Sequence, residues 1–66
     1  MKILLNDEIK EIAEACSLQS LVAQLQLKPE RLAIELNRQI VRRSAWPTTI
    51  LQEGDQLEMV HFVGGG

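Results

Sequence analysis

The sequence predicts an α+β domain in which a mixed sheet of about five strands curls around one main helix. Three observations carry that prediction. Apolar residues recur with the two-residue period of strands in several short stretches, and with a helical period in only one. The strand-like stretches come as a pair, then the helix, then a strand, a short strand and a long one. The last runs into Gly64-Gly65-Gly66, three of the four glycines in the chain.

Lys2-Ile3-Leu4-Leu5 reads as the first strand, with Ile3 and Leu5 on one face. Asn6-Asp7 is turn chemistry, because both residues tolerate left-handed backbone angles and can bond their own backbone. Glu8 to Ile12 returns as a second strand, and its imperfect alternation leaves room for a bulge or an early end. Ser17 is a good helix cap, since its hydroxyl can accept from an orphan amide of the first turn. Leu18, Leu21, Val22 and Leu25 then fall on one face, opposed by Gln19, Ser20, Gln24 and Gln26. Pro29 is expected to stop this helix, which at about ten residues is too short to stand alone and must lie against a sheet.

Leu32-Ala33-Ile34-Glu35-Leu36 alternates cleanly, with Leu32, Ile34 and Leu36 toward the core. Asn37-Arg38 turns into Gln39-Ile40-Val41. Trp46-Pro47 interrupts the period and is expected in a turn or a single helical turn, with the indole packing over the sheet. Thr48 to Leu51 returns toward the core. Gly54 supplies the backbone angle of a tight turn between Glu53 and Asp55. Gln56 to Phe62 is the longest strand candidate. This is the element order of a β-grasp domain, in which the first and last strands are central and parallel. The domain is expected over residues 1–63, with residues 64–66 as a flexible tail rooted in the middle of a rigid sheet.

Sixty-six residues make one domain, and one this short buries only about 60% of its unfolded surface. Hydrophobic content of 45% is too high for a disordered chain. A net charge of −2 argues against generic nucleic-acid binding, which needs a basic surface. No apolar run approaches the roughly 20 residues of a membrane span, and the start is too short for a signal peptide. The single cysteine rules out an internal disulfide, and no His/Cys cluster offers a metal site. The chain is therefore read as cytoplasmic, metal-free and without membrane contact. Arg31, Arg38, Arg42 and Arg43 fall in the middle third, with acidic residues on either side of them in the chain, which describes a solvated surface or a docking patch.

Three glycines in a row are costly to order, so they are not there for the fold's own sake. Extended at roughly 3.3–3.6 Å per residue, they reach about 10 Å beyond Val63. Such a tail can thread a channel too narrow for side chains and carry its carboxylate to a buried reaction centre. A frayed end or a linker remnant is the plainer reading. If Leu57 and Met59 face the core, then Glu58, Val60 and Phe62 face outward, and an aromatic beside the tail root suits a partner interface. A one-residue slip in register would instead put Val60 and Phe62 in the core. His61 has no Ser, Cys or Asp pattern that would make it a base, and is read as a partner contact or plain surface. Cys16 is taken as a small half-buried residue rather than a reactive thiol. Asp7, Glu8 and Glu11 are taken as solvated.

The opening from Met1 to Asp7, the segment from Asn37 to Val41 followed by Arg43 and Trp46, and Glu53 to Leu57 with Val60 to Gly66 together resemble the ubiquitin-like sulfur carriers. More narrowly, the chain is similar to the sulfur carriers of bacterial thiamine biosynthesis, and the likeness runs its whole length. Arg42 departs from the pattern, since many relatives have proline there. The small subunit of molybdopterin synthase shares the fold and the Gly-Gly end, but tends to carry a proline just before the glycines. His61-Phe62-Val63 has none.

The resemblance implies a carrier and co-substrate, not an enzyme, with no catalytic side chain and no bound cofactor. It implies that an adenylyltransferase (the activating enzyme) spends ATP on the Gly66 carboxylate. A sulfur-donor enzyme then leads to a thiocarboxylate, and thiazole synthase takes the sulfur. Gly64 and Gly65 would thread the partner site, and Glu58, Val60, His61 and Phe62 are the candidate docking residues. A carrier for another pathway such as molybdopterin synthesis, a ubiquitin-like modifier and a plain interaction domain remain as alternatives.

Overall fold

Each of the two hairpins turns on an asparagine, and both asparagines reach the same strand. The computed structural model describes residues 1–62. Val63, Gly64, Gly65, Gly66 and the expected boundary after residue 63 lie outside the described residues. The first hairpin joins β1 (Lys2–Leu5) to β2 (Glu8–Glu11), and the second joins β3 (Leu32–Leu36) to β4 (Gln39–Ile40). Between them lies α1 (Leu18–Gln24), and β5 (Gln56–His61) closes the chain. The sheet order is β2-β1-β5-β3-β4, with β5 in the middle, parallel to β1 and antiparallel to β3. The predicted element order and central final strand are therefore observed.

Both hairpin turns have positive φ at their two central residues, Asn6 (49°) with Asp7 (67°) and Asn37 (51°) with Arg38 (71°). That is the turn whose twist matches a right-handed strand pair, and after glycine asparagine is among the residues that tolerate it best. Their side chains do more than hold their own turns. As the β1–β5 ladder runs out, the Asn6 side-chain amide continues it: Oδ1 accepts from the Met59 N–H at 2.8 Å and Nδ2 donates to the Met59 carbonyl at 3.2 Å. On the other side, Asn37 Oδ1 accepts from the Gln56 N–H at 3.0 Å, while Nδ2 donates to Asp55 at 3.1 Å. The strand that leads to the C-terminus is thus gripped from both flanks.

Asn6→Ala is expected to lower stability by about 2 kcal/mol, from two lost hydrogen bonds and a left-handed alanine. Asn6→Gly keeps the turn and should cost less. Urea midpoints measure both, and an unchanged midpoint for Asn6→Ala would mean the grip contributes nothing.

The core lies between the sheet and α1. Ile3, Leu18, Leu21, Val22, Ile34, Leu51 and Leu57 are each no more than 2% exposed. The Ser17 hydroxyl accepts from the Ser20 N–H at 3.0 Å, as a cap should. The helix ends before Pro29 can act. Gln26 takes a left-handed φ of 58°, the Gln26 N–H donates to Ala23, and the Leu27 N–H donates to Val22. Those two bonds are a Schellman termination, with glutamine where glycine is usual. Pro29 instead opens a short 3-10 turn, Pro29–Arg31. The helix is correspondingly shorter than the ten or so residues its pattern suggests.

β2 stops at Glu11, and Ile12 folds inward beyond it. Residues Arg43–Thr48 form a longer 3-10 segment than the single turn expected. Within it Trp46 is buried and its indole N–H donates to the Val41 carbonyl at 3.0 Å. Cys16 is buried in the core, more deeply than its sequence position suggests. Gly54 has φ of 84°, as its turn requires.

The Met1 ammonium donates to the Ile12 carbonyl at 2.7 Å and lies 3.3 Å from Glu14 and 3.6 Å from Glu11. Burial opposes its charge, but Glu14 and Glu11 more than offset that, so its pKa is raised above the ordinary 8.0. For an amine raised on folding, the stabilisation is full below the unfolded value and is lost as pH climbs through the folded one. A chain beginning at Met1 should therefore lose stability above roughly pH 8, and an N-terminally acetylated chain should not show that loss. Parallel pH curves of the urea midpoint for the two chains would contradict this.

Candidate functional site

Alternation along β5 sets which side chains are available beside the tail root. Leu57 is buried and Met59 half-buried against the core, while Glu58 is exposed, Val60 is 59% exposed and Phe62 52%. The expected face assignment is therefore the observed one, with no slip in register. His61 is exposed as well, but it alternates with Val60 and so points from the other face of the strand. Glu58, Val60 and Phe62 form one group, and His61 stands apart from it.

Antiparallel pairing with β3 brings further residues to this outer face. Ala33 lies opposite Val60, and Glu35 opposite Glu58. β4 then sets Ile40 beside Glu35. A shallow depression of about 350 Å³ is lined by Ala33, Glu35, Ile40, Glu58 and Val60, with Ile34 at its floor. Ile40 is 78% exposed. Sequence reasoning missed Ala33, Glu35 and Ile40. Alternation in the third strand marks Ala33 and Glu35 as outward, but only the sheet order puts them next to Val60.

The electrostatics of this face are uneven. Two carboxylates directly opposite on neighbouring strands repel and destabilise the pair. Among the described residues neither Glu35 nor Glu58 has an ion-pair partner, the ion pairs there being those of Met1. The face thus combines exposed aliphatic groups with two carboxylates, and Arg38 lines a neighbouring depression with both of them.

The path to the C-terminus is held up to its last described residue. Leu32 pairs with His61, and the Phe62 N–H donates to the Arg31 carbonyl at 2.7 Å. The candidate tail residues Gly64, Gly65 and Gly66 follow, outside the described residues. Among the described residues no group of three His, Cys, Asp or Glu side chains gathers to hold a metal. No helix among them is long and apolar enough to cross a membrane.

The comparisons with known proteins agree with this layout. A thiamine biosynthesis protein (ThiS) of Geobacter metallireducens superposes with a TM-score of 0.87 at 29% identity, each chain covered in full, which identifies the fold as the ubiquitin-like β-grasp. The sulfur carrier protein ThiS of Escherichia coli is 35% identical over 66 residues, the whole of both chains. A thiazole synthase of Magnetococcus marinus is 42% identical over 66 residues, but the chain spans only 20% of its length. The same holds for a thiazole synthase of Paramagnetospirillum magneticum, at 32% identity and 20% of its length. The ThiS family model matches residues 3–66, and the chain belongs to that family of sulfur carriers.

Proposed function

We propose that the chain carries sulfur as a thiocarboxylate on Gly66 for thiazole formation in thiamine biosynthesis. The observation that carries this reading is the strand leading to the tail: β5 is central, gripped by Asn6 and Asn37, and is followed in the sequence by Gly64, Gly65 and Gly66. A carboxylate at neutral pH is a poor acyl donor, because its charge repels nucleophiles and oxide is a poor leaving group. In the proposed sequence one Gly66 oxygen attacks the α-phosphorus of ATP on an adenylyltransferase, and pyrophosphate leaves. A sulfide-level nucleophile delivered by a donor enzyme then attacks the acyl carbon, expels AMP and leaves the thiocarboxylate. Where the donor is a persulfide, the acyl disulfide first formed is cleaved by a second donor thiol, which is left in a disulfide as the thiocarboxylate departs. ATP belongs to the partner; the chain supplies the acyl group and binds no cofactor.

Thiazole synthase is proposed as the acceptor of the sulfur. Two relatives named thiazole synthase contain a segment homologous to the entire chain, which supports a working association of the two modules. Glu58, Val60 and Phe62, with Ala33, Glu35 and Ile40, are proposed as the face that meets the activating enzyme. The Glu35–Glu58 pair suits a partner that offers an arginine or lysine there. His61 is proposed as a contact at its margin.

Deleting Gly65 and Gly66 tests the reading. The shortened chain should fold with an unchanged urea midpoint and form no thiocarboxylate. A shortened chain that still forms one would end the proposal.

A further inference from the structure

On the helix side of the molecule, away from the outer sheet face, α1 and the Arg43–Thr48 segment enclose a groove of about 660 Å³. We propose that this groove binds an acidic segment of a partner protein, anchored by apolar side chains. The inference is independent of the carrier reading.

The floor and walls of the groove are mostly apolar, with Gln19 and Ser44 as uncharged polar members of the lining. Val22 and Trp46 are buried at its base, Leu27 is half-buried, and Ala23, Pro29 and Pro47 are exposed. The Trp46 indole N–H is already bonded to the Val41 carbonyl, so the ring presents carbon to the groove and no free donor. Among the described residues the only charged groups lining it are Arg42 and Arg43, both exposed. Neither has an ion-pair partner among the described residues.

An apolar trough with one sign of charge at its rim selects its occupant in two ways. Burying aliphatic or aromatic anchors supplies affinity, and a carboxylate meeting a guanidinium sets orientation and excludes basic segments. The chain as a whole carries −2, so the paired arginines do not belong to a generally basic molecule. A peptide fits this better than a free anion, because an anion alone would leave the apolar floor uncovered. None of the groove's lining residues also lines the outer depression, so the two surfaces can be occupied together.

The test uses synthetic peptides of glutamate and leucine, with blocked ends and leucines at helical and alternating spacings, beside the same peptides with lysine for glutamate. Binding is followed through the amide resonances of the labelled chain and the Trp46 indole N–H resonance. The expected result is saturable shifts at Val22, Ala23, Leu27, Arg42, Arg43 and Trp46 with a glutamate peptide, and none with its lysine counterpart. The double variant Arg42→Glu/Arg43→Glu should bind at least about tenfold more weakly. Ala23→Glu, which sets a carboxylate at the rim, should weaken binding too and serves if the double variant fails to fold.

The proposal is overturned by absent shifts with every glutamate peptide, or by equal shifts with the lysine peptides. It is overturned equally by shifts centred on Ile40 and Val60. Inorganic phosphate alone giving the same shifts would make this a free-anion site. Shifts that grow with protein concentration in the absence of peptide would assign the groove to a second copy of the chain.

Discussion

Gly66→Ala is expected to lower the adenylation rate on the order of 100-fold, which is what a misplacement of about 1 Å at a reacting centre costs. The substitution adds one methyl group next to the acyl carbon and leaves the carboxylate's charge and the tail's length as they were. In a closed partner site that methyl must clash or tilt the carboxylate out of line with the α-phosphorus. The described core does not involve Gly66, so the melting temperature should stay at the parent value. Gly64→Ala, farther from the reacting carbon, should be much milder. Pyrophosphate-exchange rates for parent and both variants measure this ordering, and equal rates for all three would remove the channel from the account.

Val60→Asp and Phe62→Asp are expected to weaken binding to the activating enzyme at least tenfold, as truncations at interface hot spots of about 2 kcal/mol do. Both side chains are more than half exposed and lie outside the core, so the fold should remain cooperative. Val60→Asp carries a second penalty, since it sets a third carboxylate beside Glu58 and Glu35 on the same face. Titration of each variant against the activating enzyme, beside a urea melt, separates lost docking from lost folding. Affinity within tenfold of the parent would count against a docking role for this face.

Much of the fold was legible in the sequence because its signals are local. Two-residue alternation marks Leu32, Ile34 and Leu57 as inward, and all three are buried. Ser17 caps the helix from a position that needs only three residues of context. The same alternation correctly turned Val60 and Phe62 outward.

What the sequence left hidden depends on distance along the chain. Asn6 was legible as a turn residue, but its bonds to Met59 span 53 positions and follow from the parallel β1–β5 pairing. Ile40 is one apolar residue in a two-residue strand, and only the β3–β4–β5 order brings it to the face that carries Glu58 and Val60. The helix end was misassigned for a different reason. Pro29 is a strong stop signal, but Gln26 had already adopted the left-handed angle, at a residue type with no special preference for it.

The central claim is that Gly66 becomes a thiocarboxylate, and the mass of the C-terminal peptide tests it most directly. The chain is incubated with the activating enzyme, ATP and a sulfide source, then digested, and the peptide ending at Gly66 is weighed. The peptide must be cut on the C-terminal side of Met59, because exchange of oxygen for sulfur shifts a mass almost as oxidation of Met1 or Met59 does. The account predicts sulfur in place of one oxygen on that peptide, dependent on ATP and absent when Gly65 and Gly66 are deleted. An unmodified peptide from a chain that the same enzyme binds and adenylates would contradict it.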